Sequence, residues 1–175
     1  MEYVVLGWPP DAPTLDLHHE RFAYAGKFVM SDSGKAVARG AGETVAAVAF
    51  SPDRTDERTL RLRYVTVRRD RQGEGVGPQL CRLVADRATG RGFETVLIAV
   101  NNPFAFVAAY RAGFAYTGET TGMAELLLEA GADRGRERYA AGLDRFADRD
   151  LPVAAREFVE EKREAPVPEP VASPG

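Results

Sequence analysis

Val65-Thr66-Val67-Arg68-Arg69-Asp70-Arg71-Gln72-Gly73-Glu74-Gly75-Val76-Gly77-Pro78-Gln79-Leu80 passes from an extended apolar run through a charged turn and a glycine-rich loop into the start of a helix. Before the loop, Leu60, Leu62, Tyr64 and Thr66 alternate with Arg61, Arg63, Val65 and Val67. That period of two, with its β-branched content, reads as a strand. After the loop, Val76, Leu80, Leu83, Val84 and Ala88 recur at helical spacing. The loop therefore joins a strand to a helix N-terminus, where unpaired N–H groups and the positive end of the helix dipole coincide. Such a point attracts anions, phosphates above all.

Glycines matter there because a phosphate can rest against main chain only where no Cβ intrudes, and because tight loops use positive φ. Two familiar phosphate loops do not fit. A Walker A loop needs Lys after its second Gly, and none follows Gly77; a dinucleotide fingerprint starting at Gly73 needs Gly at 78, which is Pro. Gln72-x-x-Gly75-x-Gly77 instead resembles the Gln/Arg-x-x-Gly-x-Gly/Ala loop of the GNAT superfamily of N-acetyltransferases. The resemblance implies that the amides of Gln72, Gly73, Glu74, Gly75, Val76 and Gly77 bind the pyrophosphate of acetyl-CoA, the cosubstrate, with Arg71 beside them. Pro78 departs from a loop rich in donors by removing one N–H, although its fixed φ suits a first helical turn.

A second stretch supports the first. Phe93 to Val100 is a nearly continuous apolar run, as expected of a strand covered on both faces. Asn101-Asn102-Pro103-Phe104-Ala105, a short helix and Tyr110-Arg111-Ala112-Gly113-Phe114 follow. In the GNAT family the fifth strand is followed by Asn-x-x-Ala, a helix carrying Tyr, then Gly-Phe, and Asn102, Ala105, Gly113 and Phe114 match that spacing. The resemblance implies cofactor contacts at Asn102 and Tyr110 and makes Tyr110 the candidate general acid for the departing thiolate. The family places this Tyr four residues before Gly, where Ala109 stands here; Tyr110 is three before. One residue is about 100° of helix rotation, so acid and packing roles both stay open.

The implied fold is α/β (α+β): a mixed, mostly antiparallel central sheet of about seven strands flanked by helices. The strands at 60 to 67 and 94 to 100 are expected to splay and receive the pantetheine arm like an added strand. The implied reaction is direct transfer of acetyl to the primary amine of a small molecule or peptide, with main-chain N–H near Val65 or Val67 facing the developing oxyanion. For the base, Glu43, Asp56, Glu57 and Glu119 are conceivable, and none is assigned, because no carboxylate lies between Leu60 and Val67. A non-catalytic acyl-CoA-binding regulatory module of the same fold is the alternative.

The whole chain sets the frame. Its 175 residues suit one domain plus an extension, and 45% hydrophobic with 28% charged residues is ordinary for a globular protein. A net charge of −3 argues against a dedicated nucleic-acid surface. No apolar stretch reaches membrane-spanning length and the N-terminus lacks a basic leader, so a cytoplasmic location without membrane association is expected. Monomer and homodimer are both open. Arg58, Arg61, Arg63, Arg68, Arg69 and Arg71 cluster before the loop and could meet CoA phosphates or simply form a solvated edge. Cys81, the single cysteine, reads as a packing residue, and no metal is expected.

Along the chain, Tyr3 to Leu6 reads as a strand, and Thr14 or Asp16 could cap a helix over about 15 to 25. Tyr24, Phe28 and Met30 are possible acceptor contacts by resemblance, or core residues; His18 and His19 read as surface or capping residues. Lys35 to Ala41 and Glu43 to Phe50 read as a hairpin, and 114 to 119 and 123 to 129 as two further strands. The expected division is 1–130 as the acetyltransferase-like domain, 131–164 as a helical extension with Leu143, Phe146 and Phe158 docking on the sheet, and 165–175 as a flexible Pro-rich tail.

Overall fold

A computed structural model describes residues 1–174. Seven strands and four α-helices follow one another as β1 (Glu2–Gly7), β2 (Gly34–Gly40), β3 (Glu43–Pro52), β4 (Thr59–Val67), α1 (Val76–Gly90), β5 (Thr95–Val100), α2 (Pro103–Arg111), β6 (Phe114–Thr120), β7 (Leu126–Ala130), α3 (Arg136–Ala147) and α4 (Val153–Glu164). The expected α/β class and strand number are both found. By main-chain proximity the chain forms two compact units, Met1–Val96 with the last residues from Val171, and Leu97–Pro170.

In the first unit, β1 to β4 form an antiparallel meander. The hairpin between β2 and β3 turns on Ala41 and Gly42, both at positive φ (53° and 79°), the geometry that matches strand twist. Helix α1 buries Val76, Leu80, Leu83, Val84 and Ala88. Phe28, Val37, Ala47 and Ala49 form a core cluster joined by Val4, Leu6, Leu15, Leu17 and Tyr64.

The helix expected over 15 to 25 is absent. Leu15 and Leu17, two apart as on an extended chain, both pack on that cluster, and the Leu15 N–H donates to the Phe28 carbonyl at 2.7 Å. His18 Nδ1 accepts from the Glu20 N–H at 3.3 Å, so the histidine closes a turn. The short 3₁₀ helix Ala25–Val29 comes only afterwards. A weak apolar stripe could not outweigh the burial available to an extended segment.

In the second unit β5 pairs with β7 and β7 with β6, again antiparallel, and β7 starts at Leu126 because Thr121–Glu125 forms a turn. Phe106 is the hub of the core, with ring centroids 5.1 Å from Tyr110, 6.1 Å from Tyr116, and 5.8 Å from both Tyr139 and Phe146. Helix α3 buries Tyr139, Leu143 and Phe146, while Phe158 of α4 lies 4.5 Å from Phe104 of α2. The helices after β7 are thus built into the unit that carries α2. The Pro-rich stretch has hydrogen-bonded carbonyls: Arg136 donates to Ala165, and Arg134 to Pro168 at 2.8 Å.

Candidate functional site

The strand, turn, loop and helix expected at 60 to 88 fold as read. Gly73 and Gly75 have φ of 85° and 83°, a left-handed region costly to side-chain-bearing residues. A Cβ on Gly77 would lie 3.0 Å from Val67 Cγ2, so the glycine lets α1 approach the end of β4. Gly75 is the N-cap of α1, and no side chain caps it; no acidic residue sits in the first turn. The first helical bond runs from Gln79 N–H to Gly75 carbonyl at 3.1 Å, which leaves the N–H groups of Val76 and Gly77 without an intrahelical partner. No capping side chain and no first-turn acid offset the helix dipole at this loop, where Gly73 is exposed and Gly75 and Gly77 are buried.

Val65 and Val67 point their main-chain groups away from β3. Arg68 N–H donates to Val45 carbonyl at 2.7 Å, and Thr66 pairs with Ala47, Val65 with Val48. Antiparallel pairs alternate, so Thr66 bonds β3 while Val65 and Val67 present N–H and C=O to the opposite edge. Gln72 Nε2 reaches the Val67 carbonyl on that side at 3.4 Å. The ladder slips between Ala49 and Phe50, leaving Arg63 as the extra residue of a bulge on β4.

The arginines before the loop are engaged with protein groups. Arg58 pairs with Glu94, Arg68 with Asp70 and Glu43, and Arg71 with Glu74 at 2.9 Å. Arg63 donates to Ser51 and Pro52, and Arg69 to the Glu20 carbonyl. Arg71 and Glu74 are both solvent-accessible, and an exposed pair is worth about 1 kcal/mol or less, so a bound phosphate can take Arg71 over.

Asp53 accepts from Thr55 and from Arg61 Nε, and those bonds, Thr55 first, hold its carboxyl well below the usual carboxylate range. A depressed folded pKa stabilises above the unfolded value of about 4 and is lost as pH falls below it. Asp53→Asn is expected to lower the melting temperature at neutral pH and to flatten its decline below about pH 4. Superimposable melting-temperature profiles for the two proteins would contradict this.

In the second unit, Asn102 is the N-cap of α2: its side-chain oxygen accepts from Ala105 N–H at 2.8 Å, with Pro103 in the first turn. The Asn-x-x-Ala spacing is the spacing of a cap and its donor. Gly113 follows the helix at φ 94°, and Phe114 is buried. Tyr110 lies in the core of this unit. Its side chain has 0% exposure, its ring packs on Phe106 and lies 4.7 Å from Tyr139, and its hydroxyl accepts from Tyr116 N–H at 3.0 Å. Burial pushes the phenol above its ordinary pKa. The one-residue displacement turns its ring into the unit's core, which favours the packing role of the two that the spacing left open. Tyr110→Phe is expected to cost about 1–3 kcal/mol in urea unfolding, from the orphaned Tyr116 N–H, and to leave saturated turnover intact. A tenfold lower kcat in a folded variant would restore the acid role.

Phe28 is core, whereas Tyr24 and Met30 are exposed. Cys81 is buried, its thiol pushed up to about 12 by desolvation, which fits packing. Among the described residues no group of three or more His, Cys, Asp or Glu is placed to hold a metal, and no helix is long and apolar enough to cross a membrane. Of the carboxylates considered as bases, Glu43 pairs with Arg68 and Arg21, and Asp56 accepts from Arg58 N–H and Thr59. Nothing in the local geometry sets Glu57 or Glu119 apart.

A family model described as the acetyltransferase (GNAT) family matches residues 4–114. The chain belongs to that family, whose members transfer acyl groups from acyl-CoA. Among solved structures, a nourseothricin acetyltransferase is similar at 21% identity and a TM-score of 0.51, over 74% of this chain and 96% of that one. An N-acetyltransferase from Staphylococcus aureus Mu50 is similar at 16% identity and a TM-score of 0.49, over 55% of this chain and 66% of its own length. A Bacillus subtilis acetyltransferase solved with CoA is similar at 17% identity and 0.48, over 56% and 76%. No curated protein matches the sequence. At such identity the first of these structures speaks for the fold alone.

Proposed function

We propose that the protein is an acetyl-CoA-dependent N-acetyltransferase acting on a primary amine of a small molecule or peptide. The observation that carries the reading is the loop: two left-handed glycines and an uncapped helix start, with no nearby acid in its first turn. Acetyl-CoA brings the acyl group as an activated thioester. The main chain of Gln72, Gly73, Glu74, Gly75, Val76 and Gly77 holds the diphosphate, Arg71 exchanging Glu74 for phosphate oxygen. Val65 and Val67, whose main-chain groups face away from β3, offer N–H groups to the carbonyl oxygen as it gains charge. In the second unit, Asn102 keeps its amide NH2 as a donor, its oxygen being used in the cap. The acceptor arrives as an ammonium with a pKa of roughly 10 and gives its proton to water, as no base is assigned.

The burial of Tyr110 favours one second reading, a non-catalytic acyl-CoA-binding module. A thiol-release screen with acetyl-CoA across amino acids, polyamines, aminoglycosides and peptides separates the two, run beside a thermal-shift titration with CoA. Thiol release that depends on an amine supports the enzyme; a CoA-dependent thermal shift with no release from any amine supports the module.

A further inference from the structure

Segment 11–33 precedes β2, and two of its exposed side chains, Tyr24 and Lys27, lie beside one ring of β4. Tyr24 takes φ 59° and ψ 20°, a left-handed conformation unusual for a bulky residue and a recurring mark of functional positions. Lys27 N–H donates to the Tyr24 carbonyl at 2.8 Å, which fixes this corner. The Tyr24 ring, 59% exposed, stands 5.8 Å from that of Tyr64 at 43°. The ammonium of Lys27 sits 5.6 Å from the Tyr64 centroid. Tyr64 therefore already accepts a cation on its face, at a separation where the attraction between a charge and an aromatic quadrupole is effective. Asp11, Asp16, Glu20 and Asp32 outnumber Arg21 and Lys27 in the segment, which gives it a negative formal charge. Tyr64 directly precedes Val65, whose N–H points away from β3.

We propose that Tyr24 and Tyr64 form a cation-binding face for the acceptor, making amines that carry a second ammonium group, diamines and polyamines, the preferred substrate class. The inference rests on the N-acetyltransferase reading. The nitrogen that attacks the thioester must be neutral, so a site that holds a charge serves the other nitrogen of the acceptor. Lys27 fills the face when no substrate is bound, and the incoming ammonium displaces it.

Three acceptors of equal carbon number test this with the full chain: cadaverine, pentylamine and aminovaleric acid, followed by thiol release. Cadaverine is expected to exceed both others about tenfold in kcat/KM, through KM. In Tyr64→Leu that preference collapses, while Tyr64→Phe, which keeps the ring, retains it. Tyr24→Ala, at an exposed position, weakens the preference in a protein whose fold a thermal melt verifies. Lys27→Met lowers KM for cadaverine by removing the competing ammonium. Equal kcat/KM for cadaverine and pentylamine, preference for the acid, or a cadaverine preference that survives in folded Tyr64→Leu would overturn the proposal. Loss of the parent reading looks different: no thiol release from any of the three and no heat from CoA in calorimetry.

Discussion

Gly142→Val is expected to lower the melting temperature by about 10 °C, the largest effect of any single-residue change considered for this fold. A Cβ at 142 would lie 2.3 Å from Phe106 Cζ and 2.6 Å from its Cε2, with Tyr116 Cδ2 at 3.1 Å. Phe106 cannot yield, because Tyr110, Tyr116, Tyr139 and Phe146 surround its ring. Replacing glycine within a helix gains less than about 1 kcal/mol of propensity, whereas overpacking a closed core costs about 3 kcal/mol, so the clash decides the sign. Gly122→Ala is the control: nothing lies within 4 Å of a Cβ there, and a change within about 0.5 kcal/mol is expected. Thermal unfolding of the two variants beside the parent protein checks both statements. A Gly142→Val protein melting with the parent would mean that α3 does not pack on Phe106.

Gly75→Val is expected to weaken CoA binding by at least about 100-fold while leaving a folded protein. The wild-type φ of 83° is one that a β-branched residue scarcely adopts, so the cap must rotate. Rotation takes the N–H groups of Val76 and Gly77 off their common direction. Two hydrogen bonds to a charged diphosphate are together worth about 3–6 kcal/mol, and each 1.4 kcal/mol is a factor of about ten. The local strain itself costs about 1–3 kcal/mol of stability, which separates a damaged loop from an unfolded chain. Gly90→Ala, at the far end of α1 where a Cβ meets nothing, should bind CoA as the parent does. Calorimetric titration of both variants is the check, and undiminished affinity in Gly75→Val would remove the loop from the coenzyme site.

Local features of this protein were legible in the sequence where the chain's own chemistry determines them. The strand at 60 to 67, the glycines at 73 and 75, the cap at Asn102 and the helix stop at Gly113 all depend on neighbours a few residues away. The orientation of Tyr110 was half legible: the shifted spacing showed that it turns, and only the packing of Tyr139 and Tyr116 shows into what. Segment 15 to 25 was misread because its apolar residues answer to Phe28 and the sheet rather than to each other. The arginine cluster, open in the sequence between CoA phosphates and a solvated edge, is largely matched to carboxylates and carbonyls, partners such as Glu43 and Glu94 that lie 25 and 36 positions away. The need for glycine at 142 had no local signature at all, since the ring that demands it is on another helix.

Backbone amide NMR of the full chain during addition of CoA tests the central claim most directly. The expected result is that the amides of Gly73, Glu74, Gly75, Val76 and Gly77 move first and furthest, saturating together with the calorimetric binding curve. Binding that shifts other amides and leaves those five in place would contradict it.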